Sequence, residues 1–131
     1  MTAWRNSMHA YDLSLQDPSG KNWEPIIRKY TGDPAAAQQT QLIKTFVKQK
    51  IHQVGFTHYD ATVTKATTKN VQIRACVDIT GMDVVDANGK SDIRPGESKR
   101  FYRTFSVTWY TAMRGGWLLN YISTPNPAQP C

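Results

Sequence analysis

The sequence predicts an α+β domain in which three helices precede a four-stranded antiparallel sheet. Apolar residues recur every three or four positions before Gly55 and at every second position after it, and this change of period happens once. Helices followed by strands, without alternation, are typical of helices packed on one face of an antiparallel sheet. The chain of 131 residues has the usual length of one domain. We therefore expect a single domain over residues 1–124 and an unstructured, proline-rich tail over residues 125–131.

The first two helices are marked by apolar spacing and by residues that begin or end helices. In the first, apolar residues three or four positions apart continue to Leu15, where a turn sequence follows. In the second, Asn22 is the predicted cap, Pro25 lies in the first turn, and Gly32 ends the helix.

The third helix has the clearest start signal. Asp33 is the predicted cap and Pro34 the first helical residue, where its missing N–H is harmless. Apolar residues keep helical spacing as far as Ile51 and Val54, so we expect the helix to end at Gly55.

Four later segments alternate apolar and polar residues, which indicates half-buried strands. They are Tyr59–Thr64, Val71–Thr80, Phe101–Met113 and Trp117–Ile122. Within the third strand, Trp109 is on the apolar face and is expected in the core. The pairs Asn88-Gly89 and Pro95-Gly96 predict an extended hairpin loop between the two long strands, and a turn at Gly115 and Gly116 precedes the last strand.

The two cysteines fit neither a zinc motif nor a redox motif. Cys76 lies inside a predicted strand, whereas Cys131 is the last residue. We expect Cys76 to be a small strand residue and Cys131 to be an exposed thiol able to pair between molecules. A disulfide that joins the two is the alternative.

The formal net charge of +6 favours anionic partners, such as a membrane surface or an acidic protein face. The lysines and arginines are scattered and form no arginine-rich arm or nucleic-acid motif, so nucleic acid is not an expected partner. No apolar run reaches the roughly 20 residues that cross a bilayer, and the first residues lack a signal-peptide pattern. We expect either a cytoplasmic protein or the folded part of a longer one.

Three short runs in the second half of the chain carry a family resemblance. They are Ala75-Cys76-Val77-Asp78, the run from Val84 through Ala87 with Gly89-Lys90, and Gly115-Gly116-Trp117. Together with three N-terminal helices, they resemble the nuclear-transport-factor-2-like superfamily and, more narrowly, actinobacterial exported domains. The resemblance implies a strongly bent, cone-shaped sheet and an N-terminal membrane or lipid anchor outside this sequence. It brings no catalytic residues that transfer position by position.

Enzymes of that fold use an aspartate or histidine base and a tyrosine inside the cone. Residues of these types here are His9, Tyr11, Asp12, Asp60 and Asp78. We expect Asp78 to form a surface ion pair near Arg74 instead, and no catalytic residue is assigned. The histidines have no metal-ligand spacing and no phosphate loop is present, so we expect neither a metal nor a cofactor.

Two surfaces are candidate binding sites. Aromatic side chains are expected to line an apolar pocket at the mouth of the cone, and the pocket candidates are Trp4, Tyr11 and Trp23. The polar, aromatic outer face of the sheet suits a protein partner or a second copy. Its interface candidates are Arg74, Asp78, Tyr102, Thr104 and Tyr110.

From these features we expect a non-enzymatic, extracytoplasmic accessory domain that contacts an envelope-associated partner or itself. One alternative is a small-molecule-binding or isomerase-like enzyme that uses the cone pocket. Another is a phage or mobile-element protein that acts at the host envelope. Ionisable side chains that point into a closed apolar cavity would favour the pocket over the accessory domain.

Overall fold

The computed structural model describes residues 1–93, 99–111 and 116–131, which form three helices followed by six strands. The helices are α1 (Thr2–Gln16), α2 (Glu24–Tyr30) and α3 (Ala35–Gln49). The strands are β1 (Ile51–Gly55), β2 (His58–Ala66), β3 (Asn70–Asp78), β4 (Met82–Asp86), β5 (Arg100–Tyr110) and β6 (Gly116–Ser123). The predictions for Pro95-Gly96, Met113 and Gly115 lie outside the described residues.

The strands form two antiparallel sheets. The four-stranded sheet has the order β2-β3-β5-β6, and these are the four strands that the alternating pattern predicts. A second, two-stranded sheet pairs β1 with β4 and was not predicted. The α+β class and the order of helices before strands are therefore confirmed, whereas a single sheet of four strands describes only part of the architecture. The arrangement is consistent with the cone-shaped fold that the resemblance implies.

The prediction that α3 continues to Gly55 was wrong. The helix ends at Gln49, and Lys50 adopts the left-handed conformation with φ 56°. The next five residues pair with β4, and Ile51 and Gln53 are buried on one side of the new strand. Apolar residues three apart fit a helix, but the pairing with β4 decides for a strand. A Cβ at Gly55 would approach the carbonyl oxygen of Gly81 to 2.2 Å, and its φ is +75°. Glycine is therefore required by the close approach of the end of β1 to the residue before β4, and not by a helix end.

The larger core cluster lies where α1 packs on the inner face of the four-stranded sheet. Trp4 is 1% exposed, and its ring makes edge contacts with Tyr59 and Phe105 at centroid distances of 5.3 Å each. Trp109, which we expected in this core, is only half-buried and packs against Trp117 instead. A second cluster joins the helices to β1, and its members are Leu15, Trp23, Ile27, Ala36, Ile43, Phe46 and Ile51.

The C-terminal residues are attached to the sheet. Cys131 forms a disulfide with Cys76 of β3, across a sequence separation of 55 residues. The backbone N–H of Tyr102 donates to the carbonyl oxygen of Gln129 at 2.8 Å, and Pro130 forms an isolated antiparallel β-bridge with Phe101. The expectation of two unpaired thiols was wrong, because the segment beyond β6 returns to β5 and brings the distant cysteines together. The tail is therefore not unstructured at its end.

Candidate ligand-binding cavity

A cavity of about 270 Å³ lies between the helices and the two sheets. Its walls are mainly apolar and come from α1, α3 and strands β3, β4 and β5. The apolar lining consists of Leu15, Leu42, Phe46, Val77, Ile79, Met82, Val84 and Phe101. Polar side chains also line it, namely Tyr11, Asp12, Gln53, Thr57, Tyr59 and Arg103.

Asp12 is a buried acid in this cavity, 6% exposed. It follows Met8 by four positions and precedes Leu15 by three, so helical spacing places it on the buried face of α1. Its Oδ1 accepts hydrogen bonds from Gln53 Nε2 at 3.0 Å and from Thr57 Oγ1 at 3.4 Å. The carboxyl group is therefore oriented by two polar partners.

Burial shifts the proton equilibria of three cavity groups. Burial raises the pKa of Asp12, while the hydrogen bonds from Gln53 and Thr57 act in the opposite direction. Burial also raises the pKa of Tyr11 and of Tyr59. Both phenols accordingly stay protonated and keep a hydroxyl that can donate to a ligand.

Arg103 supplies the positive charge of the cavity. It lies on β5 in phase with Phe101 and Phe105, which face the core. Its Nε donates to Thr124 Oγ1 at 2.8 Å, and its guanidinium carbon lies 5.2 Å from the ring centroid of Phe101. The side chain is thus held along an aromatic wall.

The three predicted pocket residues do not come together. Tyr11 lines the cavity. Trp4 is a core residue that borders a smaller groove of about 170 Å³, together with His9. Trp23 lines a separate groove of about 230 Å³ beside α3, and its Nε1 donates to the carbonyl oxygen of Asp17 at 2.8 Å. Aromatic character alone therefore does not identify the lining residues.

Gln53, Thr57 and Arg103 were not predicted as site residues. Gln53 was not identified as a site residue because the sequence pattern assigned it to a helix. The pairing of β1 with β4 places it in the cavity. For Arg103 a signal was present, since a charged residue on the apolar phase of a strand is unusual unless it has a partner or a function.

The outer face brings together only some of the interface candidates. Arg74 stacks on Tyr102, with 3.5 Å from its guanidinium carbon to the ring centroid, and Thr104 is exposed opposite Arg74. The hydroxyl of Tyr110, in contrast, would lie 3.7 Å from a Cβ at Gly32, so the connection between α2 and α3 lies beside it.

Asp78 forms a surface ion pair, but its partner differs from the expected one. Its Oδ2 lies 3.9 Å from Nε of Arg100, the residue directly opposite on β5, and no ion pair with Arg74 occurs in the described residues. Hydrogen bonds from the Thr80 hydroxyl and backbone N–H lower the pKa of Asp78. Asp60 and His9 are exposed, and neither lines the cavity between the helices and the two sheets.

Among residues 1–93, 99–111 and 116–131, no three histidine, cysteine, aspartate or glutamate side chains are grouped in a way that suits a metal ion. None of the described helices combines the length and the apolar character that a membrane-spanning segment requires.

Two solved structures share the α+β fold of this chain. The intermembrane-space region of the chloroplast protein ARC6 has a TM-score of 0.67 at 9% identity, covering 99% of this chain and 93% of that one. A candidate aromatic ring hydroxylase from Novosphingobium aromaticivorans has a TM-score of 0.61 at 14% identity, covering 99% and 92%. No protein-family model and no curated protein sequence matches the chain. At these identities the likeness shows the fold alone.

Replacing Asp12 by asparagine tests the burial of its carboxyl group. Because the folded state raises the pKa of Asp12, it binds the proton more tightly than the unfolded state does. The contribution of Asp12 to stability is then greatest below its ordinary pKa of about 3.9 and declines as pH rises through the raised value. Asp12→Asn should raise the melting temperature at neutral pH and flatten its dependence on pH. Thermal melts between about pH 4 and about pH 7 measure this.

The matched control is Asp60→Asn, since Asp60 is exposed on β2. It should leave the pH dependence of the melting temperature unchanged. An Asp12→Asn protein that melts lower than the wild type at every pH would show that the ionised carboxylate stabilises the fold.

Proposed function

We propose that this protein belongs to the nuclear-transport-factor-2-like fold group and binds a small, largely apolar molecule in the cavity described above. The observation that carries the proposal is Asp12, a buried ionisable side chain that lines an apolar cavity. Pockets that combine apolar walls with a few convergent polar groups and shifted pKa values are the usual form of a ligand site. A protein that only docked through its surface would need no such cavity.

The size of the cavity limits the ligand. Its volume of about 270 Å³ falls below the range of roughly 300–1,000 Å³ that is typical of sites for drug-sized molecules. A single ring with one or two substituents is therefore a better fit than a large cofactor or an oligomer.

The polar lining suggests which groups such a ligand carries. The hydroxyls of Tyr11 and Tyr59 are hydrogen-bond donors, and the lone pairs of the second oxygen of the Asp12 carboxyl group add acceptor capacity to its bonds with Gln53 and Thr57. A carbonyl, hydroxyl or amide on the ring would use these groups. An isomerase-like reaction with Asp12 as the base is a separate hypothesis for the same cavity.

The disulfide supports an extracytoplasmic location. Disulfides persist in oxidising compartments and are rare in the cytosol of most organisms. The bond between Cys76 and Cys131 therefore favours the extracytoplasmic alternative over the cytoplasmic one. Membrane or lipid anchoring, and the origin in a phage or mobile element, remain hypotheses that come from the sequence alone.

Blocking the mouth of the cavity tests the proposed function. Leu42 is 38% exposed and lines the cavity, so Leu42→Trp should obstruct it without disturbing the core. Nuclear magnetic resonance titration with benzamide, a neutral single-ring probe, should shift the amide signals of Gln53, Thr57 and Phe101 in the wild type. The shifts should be lost in Leu42→Trp.

Leu13→Trp is the matched control, because Leu13 is 37% exposed on α1 and does not line the cavity. Its titration should resemble that of the wild type. If the wild type shows no shifts of these amide signals, this cavity is excluded as the binding site. The same conclusion follows if the shifts are still present in Leu42→Trp.

The outer sheet face supports a second candidate function, the binding of a protein partner or another copy. Tyr121 is 58% exposed and shares this face with the stacked pair of Arg74 and Tyr102. Exposed aromatic and arginine side chains are enriched in interfaces. Tyr102→Ala combined with Tyr121→Ala should abolish self-association measured by sedimentation, whereas Lys65→Ala on the exposed part of β2 should not. Unchanged association of the double variant would exclude this face.

A further inference from the structure

Arg103 is a feature of the cavity that a neutral apolar ligand does not explain. Its half-buried side chain is among the residues that line this mainly apolar cavity. The ion pairs found within residues 1–93, 99–111 and 116–131 use Arg28 and Arg100, and none includes Arg103. Asp12, the acid of the same cavity, is bonded to Gln53 and Thr57 instead. A half-buried positive charge beside a mainly apolar cavity, with no carboxylate partner among the ion pairs of the described residues, is suited to an anionic ligand.

The position of Arg103 depends on the C-terminal segment. Its Nε donates to Thr124, directly after β6, and this bond does not use the two terminal nitrogens of the guanidinium. The segment from Thr124 reaches Cys131, whose disulfide ties it to β3. Apart from this bond, the end of the segment is held by backbone contacts to Arg100, Phe101 and Tyr102.

Little apolar burial holds this segment. Most residues from Thr124 to Cys131 are exposed, so packing contributes little to its position. The disulfide is accordingly a covalent restraint on the segment that carries Thr124, in addition to the pairing of Ser123 with Thr104 in the sheet. Through Thr124 this segment restrains Arg103.

We propose that Arg103 is the specificity-determining residue of the cavity and selects a small apolar ligand that carries a carboxylate. The Cys76–Cys131 disulfide maintains this selectivity, because it keeps Thr124 in place to orient the guanidinium. The inference rests on the proposed function and adds to it the charge of the ligand. A planar guanidinium matches a carboxylate through two parallel N–H···O bonds, and such pairs are stronger than neutral hydrogen bonds.

Benzoate and benzamide provide a direct test, since they have nearly the same shape and differ in charge. The wild type should bind benzoate at least about tenfold more tightly than benzamide, measured by the same magnetic resonance titration. Arg103→Met keeps an apolar stem of similar length and should remove this preference while benzamide still binds. Arg103→Lys should restore part of it. Arg74→Met, on the outer face, should leave the preference unchanged and so control for net charge.

The contribution of the C-terminal segment is tested separately. Thr124→Val, and Cys76→Ser combined with Cys131→Ser, should each weaken benzoate binding by about three- to tenfold and leave benzamide binding unchanged. Benzoate affinity that is unaffected by both changes would overturn the role of the disulfide. Equal affinity of the wild type for both probes would overturn the anion selectivity but not the proposed function. Failure of both probes to bind would overturn both.

Discussion

Replacing Trp4 by alanine should lower the free energy of unfolding by about 3–5 kcal/mol, as truncation of a fully buried large aromatic side chain usually does. Trp4 is 1% exposed and makes edge contacts with Tyr59 and Phe105, so its removal leaves a cavity between α1 and the sheet. The rings around it are anchored in β2 and β5 and cannot close the space without moving strands. Urea denaturation, followed by far-ultraviolet circular dichroism, measures the loss.

The control for this prediction is on the same helix. Leu13 is 37% exposed, so Leu13→Ala should change the free energy of unfolding by less than about 0.5 kcal/mol. A loss below about 1 kcal/mol for Trp4→Ala would mean that α1 does not pack on the sheet through this face.

Removing the disulfide should cost about 4 kcal/mol. The bond between Cys76 and Cys131 closes a loop across a sequence separation of 55 residues, and the chain-entropy estimate for a loop of that size is about 4 kcal/mol. The stabilisation arises mainly because the bond restricts the unfolded chain. Chemical denaturation of Cys76→Ser combined with Cys131→Ser should therefore show a much lower midpoint than the wild type.

The single variant Cys131→Ser separates the missing loop closure from the replacement of the buried Cys76 thiol as causes of the loss. It removes the bond but leaves the thiol of Cys76, which is 7% exposed. Equal losses in the single and double variants would assign the effect to the missing loop closure. A double variant within about 1 kcal/mol of the wild type would show that the C-terminal segment does not constrain the unfolded chain.

The four strands of the larger sheet were predictable because each alternates over many residues. In β3, for example, Ile73, Ala75 and Val77 are buried in the core, whereas Arg74 between them is exposed. A period of two cannot be satisfied by a helix, so no tertiary information is needed to assign such a strand.

The strand β1 was not predictable in the same way. Ile51 and Val54 are three positions apart and directly follow a helix, which makes them fit one more helical turn. A strand of five residues offers little periodicity, and only its pairing with β4 across a separation of about 30 residues gives it a stable hydrogen-bonding partner.

The candidate site likewise combines orientations that the local sequence predicts with contacts that depend on tertiary packing. Helical spacing places Asp12 on the inner face of α1, and strand alternation places Arg103 on the inner face of β5, so each orientation is contained in the local sequence. That the two line one cavity with Gln53 depends on how α1, β1 and β5 meet.

The amino-acid sequence by itself determined the α+β class, the first two helices and the four long strands, because these follow from periodicity and from residues that begin and end elements. The tertiary structure alone decided the pairing of β1 with β4, the disulfide between Cys76 and Cys131, and the assembly of the cavity. Each of these joins residues that are far apart in the chain. Local patterns report which way a side chain faces, whereas contacts between distant segments depend on the packing free energy of the whole fold.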